Sequence, residues 1–172
     1  MVKFFACTAI LGGCSALGML FAAGFSKRVK QLSEFENAFV QLEYDIGFLN
    51  IPLDEAFDKL SKNTENIISD IFKYISYRLS KNKCCDMYKV WKRAIEHSSY
   101  DLYLSDSDKQ ILLDFSKTLG QGNSEKEKNN IKLTLMRLKI AQTEAQSAAS
   151  TNVKMYRGLG VLVGIFIVIL LF

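Results

Sequence analysis

One proline, one histidine and one tryptophan are spread over 172 residues, and two long stretches carry no charge at all. Each scarcity excludes something. Pro52 is the only proline, so helices elsewhere are not interrupted, and Pro52 itself can stand only at a helix start. His97 is the only histidine. It lies beside a predicted helix end with no cysteine or carboxylate at metal-ligand spacing, so no metal site is expected and His97 reads as an exposed cap residue. No GxxxxGK[ST] loop is present, which excludes nucleotide hydrolysis by the chain alone. No GxSxG is present either, and a Ser–His–Asp site would have to be built on His97. Glu43 and Asp45 are the one tempting carboxylate pair, but their i, i+2 spacing turns them to different faces of a helix. The expectation is a non-enzymatic chain with no catalytic residues, no cofactor and no small-molecule substrate.

Cysteine is also uninformative as chemistry. Cys7 and Cys14 fall in an apolar run, where cysteine behaves as a small hydrophobe. Cys84 and Cys85 are adjacent, which is the spacing of neither a zinc site nor a redox CxxC pair. A vicinal thiol sensor is the alternative, and nothing nearby supports it. The net charge of +4 is too small, and the bases too dispersed among acids, to suggest nucleic acid.

What is present is apolar sequence concentrated at both ends. Phe4–Phe25 and Gly158–Phe172 contain no charged residue, while every acid, and every base except Lys3, lies between Ser26 and Arg157. As helices the two runs extend roughly 33 Å and 22 Å. The first matches a hydrocarbon core of about 30 Å. The second crosses if Lys154 and Arg157 snorkel or the bilayer thins. Lys27, Arg28 and Lys30 after the first run, and Lys154 and Arg157 before the second, place the middle segment in the cytoplasm and both termini outside. The expected organisation is a short extracytoplasmic N-terminus at 1–3, a transmembrane helix at 4–25, a cytoplasmic helical domain at 26–157 and a second transmembrane helix at 158–172.

Two rival readings of the N-terminus fit less well. Leu11-Gly12-Gly13-Cys14 resembles a lipobox, but Ser15–Phe25 stays apolar where a lipoprotein has a polar tether. A cleaved secretory signal near Ala22–Ala23 is opposed by Lys27-Arg28 immediately after it. Small residues mark candidate helix-packing faces: Cys14, Gly18 and Ala22 recur every four positions, and Gly160 and Gly164 form a GxxxG.

The middle segment is helical in its periodicity throughout. Leu32, Phe35, Phe39, Leu42, Ile46 and Leu49 alternate three and four residues apart. Ile67, Ile68, Ile71, Phe72, Ile75 and Leu79 repeat the pattern, as do Met87, Val90, Trp91, Ala94 and Ile95. Ile111, Leu112, Phe115 and Leu119 mark another helix, and Ile131, Leu135 and Leu138 open the last. Pro52 starts a short helix, Asn63-Thr64 is a candidate cap before Glu65, and Ser105 caps a helix whose first turn carries Asp106 and Asp108. From Ser124 to Arg157 there is neither glycine nor proline, so one long helix should run toward the second apolar segment, with a bend near Gly158. The fold class expected is all-α: an antiparallel bundle of five to six helices flanked by an N-terminal and a C-terminal transmembrane helix.

Several segments, in order, resemble one family. Leu42-Glu43-Tyr44-Asp45-Ile46 followed by Ile51-Pro52-Leu53-Asp54-Glu55-Ala56, Trp91 in a lysine-flanked helix, and Leu112-Leu113-Asp114-Phe115-Ser116-Lys117-Thr118-Leu119-Gly120, then Asn123, Ile131-Lys132-Leu133 and Leu138, are similar to the stage III sporulation protein AB family. Ile51 stands where that family has threonine, which weakens the cap of the short helix. Ser116 replaces a glycine and Asn123 an aspartate.

The resemblance implies a component of the export channel that spore-forming bacteria assemble between mother cell and forespore. It also implies a domain similar to the cytoplasmic domains of the type II secretion and type IV pilus platform proteins. Family members are encoded with a secretion-type ATPase and ring-forming proteins. The expected partners are therefore the membrane, that ATPase and other sporulation channel proteins, with the chain in the mother-cell membrane. A general membrane-tethered adaptor of a secretion or pilus machine is the alternative. Candidate docking positions are Pro52 and Asp54 in one turn and Gly120 and Asn123 in another, where the resemblance persists outside the obvious core. The plainer reading is that Pro52 and Gly120 shape helix ends.

Overall fold

The computed structural model describes residues 2–81, 86–119 and 124–171; for 2–11, 14, 15, 17, 124, 157, 161, 170 and 171 the description is of the backbone alone. Cys84, Cys85, Gly120 and Asn123 therefore lie outside the described residues, as does the side chain of Cys14. The described residues form six helices and no strand: α1 (Val2–Gly47), α2 (Leu53–Asn63), α3 (Asn66–Lys81), α4 (Met87–His97), α5 (Asp106–Lys117) and α6 (Ser124–Leu171). The chain divides into two compact units, one of Met1–Val29 with Glu144–Phe172 and the other of Lys30–Thr143.

In the second unit the three–four seams of the sequence become one aromatic core. Trp91 on α4 is fully buried and is the hub. Its indole lies 6.4 Å from Phe39 (α1), 5.9 Å from Phe57 (α2), 6.3 Å from Phe72 (α3) and 5.7 Å from Phe115 (α5), mostly edge to face. Phe39 and Phe115 meet at 4.7 Å, and Phe72 touches both Phe35 and Phe57. Edge-to-face contacts of this kind add about 0.5–1.5 kcal/mol each beyond area burial. One side chain thus joins five helices. Its Nε1 has no hydrogen-bond partner in the core.

Helix directions in this unit follow from paired contacts. Gln31 on α1 bridges Asp101 and Tyr103, and Phe39 meets Phe115, so α1 and α5 run the same way. On α6, Asn130 donates to the Phe115 carbonyl and to Thr118, while Arg137 reaches Asp114, so α6 runs against α5. Therefore α1 and α6 run antiparallel. A Cβ on Gly47 would stand 3.8 Å from Lys128 Cε, so the end of α1 and the start of α6 are neighbours.

The helix ends refine the sequence expectations. The reciprocal capping box of α5 pairs Ser105 with Asp108, which is buried: Ser105 N donates to Asp108 Oδ2 at 2.9 Å and Asp108 N to Ser105 Oγ at 3.2 Å. The Asn63-Thr64 cap for α3 does not form. Thr64 is the C-cap of α2 and its hydroxyl donates back to the Leu60 carbonyl, while Asn63 donates to Gln41. Both side chains are thus engaged away from α3, and Asn66, its first residue, takes a left-handed φ of 54°. Leu49, expected on the first seam, is half exposed because α1 ends at Gly47.

The other unit is held differently. Gly18 lies against α6 so closely that a Cβ would stand 2.7 Å from the Tyr156 carbonyl oxygen and 3.3 Å from Gly160 Cα. Phe21 and Phe25 both stack on Tyr156, at 6.1 and 5.8 Å. Ala22, Ala145 and Gly164 are buried, whereas Leu20, Phe21, Leu162, Phe166 and Ile169 are exposed. At Gly158, where the sequence predicts a bend, α6 remains helical.

Among the described residues, one helix is long and apolar enough to cross a membrane. It is α6, within Glu125–Ile169, with a most apolar window of mean hydropathy 1.6. Only 6% of that window is buried, which separates it from a core helix of a water-soluble fold. The N-terminal span expected at 4–25 is helical as part of α1, but it is not among the candidate spans found in the described residues.

Candidate interaction surfaces

Pro52 and Asp54 are brought together where α1 turns into α2. Asn50 adopts φ 50°, Ile51 N donates to the Asp45 carbonyl at 3.1 Å, and Pro52 is the N-cap of α2 with no side-chain cap bond. The missing cap is what isoleucine at position 51 and proline at 52 lead to, since neither side chain can accept from an N–H. Asp54 and Glu55 compensate in part by placing carboxylates in the first turn. The turn is anchored to α3 by Ser76, whose hydroxyl donates to the Asp54 carbonyl at 3.0 Å. Pro52 is exposed and Asp54 half-buried, so both face a surface that a partner could touch.

Behind the turn lies a residue that sequence reasoning set aside. Asp45 is fully buried, and its Oδ1 accepts from Lys59 Nζ of α2 at 2.8 Å. Its Oδ2 is buried with no partner. Lys59 is 43% exposed, so one end of the pair is wet and the other dry. Reading Glu43 and Asp45 only as a failed catalytic pair hid this. The usable signal was an acid on the edge of an apolar seam and a lysine nearly two turns into the next helix.

His97 ends α4 and is exposed, with Ser98 as the C-cap. It lines a groove of about 520 Å³ between α3 and α4, with Asp70, Tyr74, Arg93 and Glu96. Asp70, His97 and Ser98 share this wall, yet no hydrogen bond links them. Among the described residues no group of three or more His, Cys, Asp or Glu side chains could hold a metal ion.

Surface electrostatics are perturbed in one place. Asp114 accepts from Lys117 Nζ and Gln110 Nε2, both at 2.8 Å. The Lys117 hydrogen bond first, then Gln110, hold its carboxyl below the ordinary carboxylate range, and Asp114 in return raises the Lys117 ammonium.

Of the candidate membrane-packing residues, Gly18 and Gly160 stand against each other, and Ala22 and Gly164 are buried on the same pair of helices. Tyr156, which the small-residue pattern did not include, is the large side chain over which Phe21 and Phe25 close.

A family model described as stage III sporulation protein AB matches residues 3–172. The chain belongs to the stage III sporulation protein AB family. Stage III sporulation protein AB of Bacillus subtilis (strain 168) is 27% identical over 172 residues, covering 99% of each chain. A solved structure of a stage III sporulation protein AB superposes with a TM-score of 0.65 at 25% identity, covering 72% of this chain and 97% of that chain. The match is thus to a sporulation protein family and not to a known enzyme family.

Proposed function

We propose that this protein is a non-enzymatic membrane platform of the sporulation export channel between mother cell and forespore. Both ends of the chain anchor it in the mother-cell membrane, and its bundle links a secretion-type ATPase to the membrane apparatus. The observation that carries this reading is the family match over residues 3–172, which includes both apolar ends and the bundle between them. The uncharged run Phe4–Phe25 and the basic residues bordering both runs favour two spans with the bundle in the cytoplasm. The exposed Pro52–Asp54 turn, together with Gly120 and Asn123, is the surface assigned to the ATPase.

The test is retention of a co-expressed secretion-type ATPase by the tagged full-length chain in detergent. Asp54→Lys with Asn123→Lys should lower retention by about tenfold, a loss of about 1.4 kcal/mol, while the bundle still unfolds cooperatively. Unchanged retention removes that surface, and no retention by the native chain removes the ATPase link. Thiol labelling of Cys84 and Cys85 in intact mother cells tests topology, since labelling by an impermeant reagent would place the bundle outside the cytoplasm. A deletion strain that sporulates normally but loses a vegetative secretion or pilus function would favour the general adaptor.

A further inference from the structure

Two exposed apolar stripes run along the outer side of the bundle. Val40 and Tyr44 on α1, and Phe48 just past its end, are 53%, 54% and 78% exposed, and the two rings lie 5.7 Å apart. On α6, Leu133, Met136 and Ile140 are 48%, 65% and 61% exposed. Each stripe lies opposite its helix's buried face, which is Leu32, Phe35, Phe39 and Leu42 on α1 and Ile131, Leu138 and Ala141 on α6. The helices are neighbours at Gly47 and Lys128, so the stripes belong to one surface.

The charges bordering these stripes are sorted by sign. From Gln31 to Gly47, α1 carries acids and no base; from Lys128 to Thr143, α6 carries bases and no acid. Glu36 and Glu43 border the α1 stripe, and Lys132 and Lys139 border the α6 stripe. None of these four makes an ion pair or side-chain hydrogen bond with a described residue. The antiparallel register aligns them. Glu43 lies four residues back from Gly47 and Lys132 four residues on from Lys128; at eleven residues the pair is Glu36 and Lys139. Both helices rise about 1.5 Å per residue, so counting away from this contact in opposite directions brings Glu43 and Lys132, and then Glu36 and Lys139, to neighbouring levels.

We propose that this surface pairs with a second copy of the same chain. A two-fold axis parallel to α1 and α6 leaves every height unchanged and sets the α1 of each copy across from the α6 of the other. The α1 stripe then covers the α6 stripe of the partner copy. At two levels, glutamates of one copy meet lysines of the other around the axis. The surface is self-complementary in this one arrangement: α1 on α1 would oppose acids and α6 on α6 would oppose bases. An anionic lipid surface would accept the α6 border and repel the α1 border, so it does not match the whole face. This inference is independent of the ATPase reading, because it needs no other protein.

The experiment uses the full-length chain in detergent, with light scattering and two tags. The native chain should be dimeric at micromolar concentration. Glu36→Lys with Glu43→Lys should weaken self-association by at least about tenfold, as should Lys132→Glu with Lys139→Glu. Mixed together, the two variants should form a one-to-one heterodimer, since each then opposes the other with charges of opposite sign at both levels. A monomeric native chain, dimers indifferent to either reversal, or a mixture that stays monomeric overturns the proposal. If the reversed chains do not fold, cross-linking decides it. With Cys7, Cys14, Cys84 and Cys85 replaced by serine, a Glu43→Cys copy and a differently tagged Lys132→Cys copy should join through a short bis-maleimide. A Tyr77→Cys copy on α3 should not. Equal yields in the two cases overturn the pairing.

Discussion

The bundle and the paired helix ends use opposite packing rules. Inside Lys30–Thr143 the contacts are made by the largest side chains, with five phenylalanines interlocked around Trp91 and excluded from solvent. In the unit formed by Met1–Val29 and Glu144–Phe172 the close approach is made by the smallest, Gly18 on Gly160, while Leu20, Phe21, Phe166 and Ile169 face outward. A water-soluble core is driven by removing apolar area from water, so large side chains go in. Helices surrounded by apolar material have no such drive between them; backbone approach and dispersion contacts decide, so small residues go in. The two units therefore differ in which side chains make their closest contacts.

The largest test of this difference is Trp91→Ala. Deleting the hub should destabilise the bundle by about 3–5 kcal/mol in urea unfolding. Trp91→Phe should cost clearly less, because it also removes an indole N–H that has no partner. Neither should alter the pairing of the helix ends.

Gly18→Leu is the reciprocal test. The added side chain meets backbone at 2.7 Å, which cannot yield as a flexible side chain would. Overpacking of this kind costs about 1–3 kcal/mol, here in the pairing of α1 with α6 in that unit. The readout is bis-maleimide cross-linking of Phe21→Cys to Tyr156→Cys within one cysteine-free chain. The yield should fall in the Gly18→Leu background while bundle unfolding stays the same.

A smaller effect belongs to Ser105→Ala. It removes one half of the reciprocal cap of α5 and should lower bundle stability by about 1 kcal/mol. Asp108→Ala should cost more, since that carboxylate is buried and serves the Ser105 N–H.

Asp114→Asn should have the smallest effect, about 0.5 kcal/mol or less, because Asp114 and its partners Lys117 and Arg137 are all solvent-accessible. Its pH dependence carries a definite sign. The folded-state carboxyl titrates below its unfolded value, so its contribution is complete at neutral pH and lost as pH falls through the lowered folded value. Unfolding curves of the native chain and Asp114→Asn should therefore differ at pH 7 and converge in strong acid.

The helices and their apolar faces were legible in the chain because periodicity is local. Leu32 to Ile46 announces a buried stripe wherever that helix packs, and Ser105 followed by Asp108 announces a cap. The turn Pro52–Asp54 was legible for the same reason. The Asp45–Lys59 pair was not, because its meaning depends on which side of α1 faces α2. Nor was Tyr156, since stacking by Phe21 and Phe25 requires knowing which level of α6 lies beside them. Thr64 was misread because two N-cap residues in a row cannot indicate which of two adjacent helices they serve.

By itself the sequence determined an all-helical chain, apolar at both ends, with its charges confined to the middle, since these are properties of spacing and composition. Only the tertiary structure decided that Trp91 is the common contact of five helices, that Gly18 and Gly160 are in reach of each other, and that the acid-bearing end of α1 runs antiparallel beside the base-bearing start of α6. Those facts depend on the register between segments far apart in the chain. Register is set by the summed packing of whole faces, which no local pattern records.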